Sequence, residues 1–269
     1  MDLGLKGATA VVAGGTGGMG RAAALCLAED GAKVAVIGRD RTRLDATVKA
    51  LTSAGAADAV GISADLLDRA AVDAAFAQIG ERWGHLNALI NAAGPSLGHT
   101  RFEDVDDEGW MRAFDTLTIS YIRCIRAALP LLRKAEWARI VNVSAHSTKR
   151  QSPRIAPYTA AKAAVTSVSK NLSKSLASEG ILVNTVSPGT FMSEQVVDGL
   201  RDRLAERGLD SSNPFDVMRY IDEVHRCPAH LGRAGQPSEI GPVIAFLASR
   251  RNSYMTGADV NVDGGSDFC

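Results

Sequence analysis

The chain is short of several things, and each shortage removes a class of function. Its 269 residues carry no net charge, 30 Lys and Arg balancing 30 Asp and Glu. A balance of zero argues against nucleic acid as the main partner, because duplex binding normally needs a basic stripe, and no nucleic-acid partner is expected. No apolar run approaches the ~18 residues of a membrane span, and Met1–Leu5 lacks the basic-then-apolar order of a signal peptide. No membrane association is expected. The four cysteines, Cys26, Cys124, Cys227 and Cys269, lie far apart and form no Cys-x-x-Cys pair. That pattern predicts reduced thiols and a cytoplasmic location. Aromatics make up only 5%, but with 46% hydrophobic and 22% charged residues the composition is globular, neither disordered nor fibrous. Linkers, repeats and low-complexity tracts are absent, which predicts one domain over 1–269.

What is present is a rhythm. Ala8–Ala13, Lys33–Ile37, Ala59–Ile62, Ala88–Asn91, Arg139–Val143, Val183–Val186 and Asp259–Val262 read as strands, several of them continuous apolar runs. Such runs suit parallel strands covered on both faces. Between them Gly18–Glu29, Arg41–Leu51, Leu67–Arg82, Asp106–Arg133, Tyr158–Ser178 and Ser238–Ser249 read as helices, the last with Ser238 as its N-cap. The alternation predicts an α/β fold: a single Rossmann-type doubly wound parallel sheet of about seven strands with helices on both faces. Between Thr190 and Gly232 the rhythm lapses into helix and loop without a strand. An insertion there falls at the carboxyl ends of the strands and reads as a substrate lid over 190–232.

The first strand runs directly into Gly14-Gly-Thr-Gly-Gly-Met-Gly20, followed by a helix. Glycines at this junction allow a tight turn and close approach of a pyrophosphate to the unpaired amides of a helix N-terminus. No Gly-Lys-Ser/Thr follows, so a phosphoryl-transfer P-loop is disfavoured. The end of the second strand, where a ribose discriminator belongs, reads Val36-Ile-Gly-Arg-Asp40. Gly38 where an acid would grip a 2′-hydroxyl, with Arg39 beside it, suits a 2′-phosphate and predicts NADP(H). A shift of two residues would instead make Asp40 the acid and NAD(H) the cofactor.

Tyr158 and Lys162 open the helix that follows Pro157 and stand four apart, on one face. An ammonium beside a phenol favours phenolate and lowers its pKa from ~10, so that it can exchange a proton with an alkoxide or carbonyl oxygen. Ser144 ends the preceding strand and could polarise that oxygen, with Ser147 as a second candidate. His225-Arg-Cys227-Pro-Ala-His230 offers three metal-ligand types, but Pro228 breaks any helical spacing, and no metal is expected.

These motifs, in this order, resemble the short-chain dehydrogenase/reductase family over essentially the whole chain, with 3-oxoacyl-carrier-protein reductases the nearest named analogue. The resemblance carries over Gly14, Thr16, Gly18, Met19 and Gly20 of the glycine turn, although Ala13 stands where a Thr is usual. It also carries over Arg39, Asp65 and Leu66 near the adenosine, and Asn91, Ala92 and Gly94 of the fourth-strand signature. Pro188, Gly189 and Thr190, with Ser193 near them, match the loop around the nicotinamide carboxamide, and Tyr158 and Lys162 also contact the cofactor. The resemblance implies an NADP(H)-dependent oxidoreductase acting on a small carbonyl or secondary alcohol. Its catalytic residues would be Ser144, Tyr158 and Lys162, and its assembly a homodimer or homotetramer through the two long helices. Two departures stand out. The family's serine, thirteen residues before the Tyr, is Ala145 here, and the helix asparagine that supports the Lys through water aligns with Leu117, flanked by Thr116 and Thr118. They leave open a non-catalytic nucleotide-binding regulator or scaffold on the same fold. Phe191, Met192, Phe215, Met218 and Tyr220 suggest apolar substrate contacts, and Arg219, Arg226, His225 and His230 polar ones. A β-ketoacyl thioester, ring ketone, polyol or sugar would fit.

Overall fold

The computed structural model describes residues 2–94 and 100–266; Met1 and Cys269 lie outside them. Seven strands form one wholly parallel sheet: β1 Thr9–Ala13, β2 Lys33–Gly38, β3 Asp58–Ser63, β4 Ala88–Asn91, β5 Ala138–Val143, β6 Ile181–Pro188 and β7 Asp259–Val262, in the order β3-β2-β1-β4-β5-β6-β7. Chain order reverses between β1 and β4, so their carboxyl ends flank the switch-point crevice. The strands are continuous apolar runs because both faces are covered. Ala10 and Val12 of β1 pack under α1 (Gly18–Glu29) and α9 (Pro237–Leu247), while Val11 and Ala13 pack under α3 (Arg69–Trp83) and α5 (Ser120–Leu132). The two-residue strand period thus feeds two separate cores.

Two helical expectations need correction. The last helix starts at Pro237, and its cap is Gln236, not Ser238. Glu239 reaches back to the Gln236 amide at 2.7 Å, closing a capping box that Ser238, already inside the first turn, cannot make. The expected single helix Asp106–Arg133 is α4 (Asp107–Phe114), a π-helical turn at Asp115–Ile119, and α5. The π-turn inserts a widened step that hydropathy periodicity cannot register.

After β6 come α7 (Glu194–Ala205) and α8 (Pro214–His225), with α2 (Arg41–Ala54) and α6 (Ala156–Ser175) completing the helices used below. The α7–α8 hairpin has its own small core of Leu200, Leu204, Val217, Met218, Tyr220, Ala229 and Ala234. Met218 and Tyr220 are therefore buried in the hairpin instead of facing a substrate, and Phe191 is buried against Gly235. Of the expected apolar contacts, Phe215 is exposed.

At the far edge Asp58 accepts from Arg82 Nε and Nη2, both at 2.7 Å, and from Trp83 Nε1 at 2.9 Å. The guanidinium is the main cause holding the Asp58 carboxyl down at about 2. A depressed carboxyl stabilises the fold fully above its ordinary value near 4, and that contribution is lost as pH falls through about 2. With both side chains partly in water the pair is worth about 1 kcal/mol. Asp58→Asn is expected to lower urea-unfolding stability by that amount at pH 6, the difference shrinking as pH falls through about 2 and vanishing below it. A constant difference across that window would refute the assignment.

Candidate active site

The glycine turn is shaped by contacts that no side chain could share. Gly14 has φ +80°, and a Cβ there would stand 2.6 Å from the backbone of Ala93; one on Gly20 would stand 2.4 Å from Gly14 O. Strand β1, the loop after β4 and the start of α1 thereby come together. Gly17, the N-cap of α1, contributes no side-chain cap, so the first amides of the helix keep their capacity for an anion. Met19 packs against the core below. This cradle fits the phosphates of a dinucleotide.

At the end of β2, a Cβ on Gly38 would lie 3.0 Å from Thr16 Cγ2, so an acidic side chain there would crowd the turn. Asp40 is committed elsewhere, as the N-cap of α2, accepting from Arg43 N at 2.9 Å. Arg39 is exposed beside the turn. Arg43 lies across it: its Nη2 is 2.5 Å from Glu194 Oε2 and 3.4 Å from Thr16 O. Asp65 follows β3 and accepts from Leu67 N at 3.0 Å, while Leu66 O accepts from Arg123 at 3.4 Å.

Across the switch point, Asn91 is wholly buried and donates from Nδ2 to Asn142 Oδ1 at 2.8 Å; Asn142 in turn donates to Ser169 Oγ at 2.9 Å. The Asn91 side chain thus ties β4 to β5 and α6. Ala92, Ala93 and Gly94 lead from it past the glycine turn. On the other side Pro188 ends β6, and Gly189 lies so close to Asp263 that a Cβ would meet its Cα at 2.8 Å. Thr190 O accepts from Gly235 N, and Ser193 caps α7, its Oγ accepting from Val196 N.

Tyr158 and Lys162 project from the first turns of α6 toward this crevice. Lys162 is buried, and its Nζ donates to Val143 O at 2.8 Å and to Tyr121 Oη at 3.3 Å. It lies 6.0 Å from the centroid of the half-buried Tyr158 ring. Burial pushes the Tyr158 phenol up to about 12 and brings the Lys162 ammonium down to about 7. The expected depression of the phenol by the lysine is thus reversed in this geometry. Desolvation acts on both groups, while the ammonium points to a carbonyl and a second tyrosine.

The expected hydroxyl divides between two places. Ser144 Oγ is shared between Lys162 O at 3.0 Å and the Thr166 hydroxyl at 2.9 Å, so it braces β5 against α6. Ser147 lies in the short turn His146–Thr148, where Thr159 Oγ1 donates to its Oγ at 3.3 Å. Ala145 between them is buried. Strand alternation sends Ser144 away from the face that the residue after it occupies. Leu117 is buried in the π-turn and packs on Gly94, and Thr118 Oγ1 donates to Ala161 O at 2.8 Å. Tyr121 escaped sequence reading altogether. It stands one helical turn beyond Leu117, so the missing asparagine was the signal to look there.

Comparison with known proteins agrees with this architecture. A family model described as enoyl-(acyl carrier protein) reductase matches residues 13–267. A 3-oxoacyl-[acyl-carrier-protein] reductase of Staphylococcus aureus is 32% identical over 96% of this chain and 97% of its own. Among solved structures, an NADPH-bound short-chain oxidoreductase of Pseudomonas aeruginosa PAO1, described as containing an atypical catalytic centre, is 30% identical. It covers 96% of each chain with a TM-score of 0.85. L-sorbose reductase of Gluconobacter frateurii, complexed with NADPH and L-sorbose, shares the fold over 100% of both chains, with a TM-score of 0.91 at 24% identity.

Proposed function

The chain belongs to the short-chain dehydrogenase/reductase family and is an oxidoreductase, and from that premise we propose that it is an NADP(H)-dependent enzyme interconverting a carbonyl and a secondary alcohol, with Tyr158 as acid/base. The observation that carries the reading is the convergence of Tyr158 and Lys162 with the glycine cradle at the carboxyl ends of one parallel sheet. When bound, the dinucleotide supplies or accepts the hydride at nicotinamide C4. Reduction then requires one proton at the substrate oxygen, and Tyr158 Oη gives it; oxidation runs the same transfer backward. A phenol held at about 12 stays a neutral donor across ordinary pH. Support for NADP(H) comes from Gly38, from the prior commitment of Asp40 to a helix cap and from the exposed guanidinium of Arg39. The same site would use Gly14, Thr16, Gly18 and Gly20 for the phosphates and Asp65 and Leu66 for the adenine. The segments Asn91–Gly94 and Pro188–Thr190 would flank the nicotinamide ribose and carboxamide.

We assign the polarising hydroxyl to Ser147 in preference to Ser144, whose Oγ already serves two partners. The substrate class lies among β-ketoacyl thioesters, ring ketones, polyols and sugars, the segment 190–232 covering it, and a panel followed by NADPH absorbance would choose. A second reading, a non-catalytic nucleotide-binding protein, draws on Ala145 and Leu117 standing where the family places its serine and asparagine.

Tyr158→Phe separates the two readings. Turnover is expected to fall at least about 100-fold while NADPH affinity, followed by fluorescence, stays within about threefold. Unchanged turnover would remove Tyr158 from the chemistry. Arg39→Ala is expected to weaken NADPH binding about tenfold, ~1.4 kcal/mol, and to leave NADH binding alone. Tighter NADH than NADPH binding by the unaltered chain would sink the NADP(H) assignment. Ser147→Ala is expected to slow turnover about 10- to 100-fold and Ser144→Ala far less. The opposite order would return the role to Ser144.

A further inference from the structure

Beside the buried ammonium of Lys162, Leu117 takes the place of the helix asparagine that in the family pattern supports the lysine through water. Leu117 Cδ2 fills that space so closely that a Cβ on Gly94 would meet it at 2.7 Å, with Lys162 Nζ 3.6 Å from the same point. One turn further along, Tyr121 does what a buried phenol need not do merely to fill a core. Its Oη donates to Ala93 O at 2.7 Å and accepts from Lys162 Nζ at 3.3 Å, and the same Nζ lies 5.0 Å from the centroid of its ring. Val143 O, the other acceptor of the ammonium, is itself 3.3 Å from Tyr121 Oη. Val143 of β5, Tyr121 of α5 and the loop after β4 thus join Lys162 of α6 in one buried hydrogen-bonded cluster.

We propose that Tyr121 is a positioning residue for the Tyr158–Lys162 pair: its phenol oxygen and ring face hold the Lys162 ammonium charged and in place, the task that a helix asparagine performs elsewhere in the family. The proposal rests on the reading of Tyr158 and Lys162 as the active pair. Because Oη donates to Ala93 O and burial raises its pKa well above the ordinary tyrosine value, Tyr121 stays neutral and can only accept from the lysine. The titratable groups facing Lys162 are Tyr121 from α5 and Tyr158 from its own helix. Cys124, held up at about 12 by burial, lies behind Tyr121. No carboxylate of the described residues is paired with Lys162, so the acceptor oxygens of Tyr121 and Val143 are what favour its charged form.

The test is a titration of the lysine ε-methylene resonances by NMR in protein labelled with ε-13C lysine, Lys162 being assigned as the signal missing from Lys162→Met. Its midpoint, expected near 7, should drop by about one pH unit in Tyr121→Phe, which keeps the ring and removes the oxygen. Turnover should fall about tenfold or more, with the melting temperature within a few degrees of the parent. Should Tyr121→Phe fail to fold, 3-fluorotyrosine placed at 121 keeps the packing and weakens the acceptor. The midpoint should then move in the same direction by less. An unmoved Lys162 midpoint in the folded variant overturns the proposal, whatever happens to turnover. A moved midpoint in a protein that reduces no carbonyl upholds Tyr121 and instead overturns the enzymatic reading.

Discussion

Burying one ammonium is the constraint on which the site depends. Lys162 lies almost wholly out of water at the carboxyl end of the sheet, where an unpaired charge would cost several kcal/mol. Neither of its hydrogen-bond partners is local to α6. They come from Val143 at the last residue of β5 and from Tyr121 on α5. Strand, helices and the loop through Ala93 must therefore hold a common register, and Ser144 strengthens it by bonding the carbonyl of Lys162 itself. The packing of β5 against α6 and the electrostatics of the Tyr158–Lys162 pair are one problem with one solution.

The glycine turn, the candidate cofactor cradle, is governed by steric exclusion instead. Gly14, Gly20 and Gly38 each stand where a Cβ would meet backbone or Thr16 within about 3 Å, so the turn exists only because side chains are absent. Around it the charge is local. The formal charge of the chain is zero, yet Arg39 and Arg43 flank the end of β2, and Arg43 spans the turn to Glu194 at the start of α7. That ion pair ties the cradle to the α7–α8 hairpin, whose own small core keeps it a separate packing unit. Candidate cofactor site and candidate substrate cover thus share a contact although their apolar interiors do not.

Legibility in the sequence followed the range of the forces involved. Strand β4 at Ala88–Asn91, strand β7 at Asp259–Val262 and helix α1 at Gly18–Glu29 match the reading to the residue, since apolar runs, glycine punctuation and helix propensity act within a few residues. Gln236 displaced Ser238 as a cap because the capping box depends on which amide Glu239 reaches. The π-turn at Asp115–Ile119 was invisible because a single widened turn is too short to show against the periodicity of the helices on either side. Met218 and Tyr220 read as substrate contacts in the sequence, whereas packing commits them to the core of the hairpin.

The sequence by itself determined the doubly wound sheet, the glycine turn and the placing of Tyr158 with Lys162 on one helical face, because each is written in periodicity or in a spacing of a few residues. It also showed that Ala145 and Leu117 depart from the family pattern, but not what takes over. Only the tertiary structure decided that Ser144 braces a helix, that Asn91 spends its amide on Asn142, and that a tyrosine from a different helix receives the ammonium of Lys162. Those outcomes depend on which buried polar groups meet across elements far apart in the chain. Hydrogen-bond satisfaction in a closed interior is settled by packing, not by local pattern.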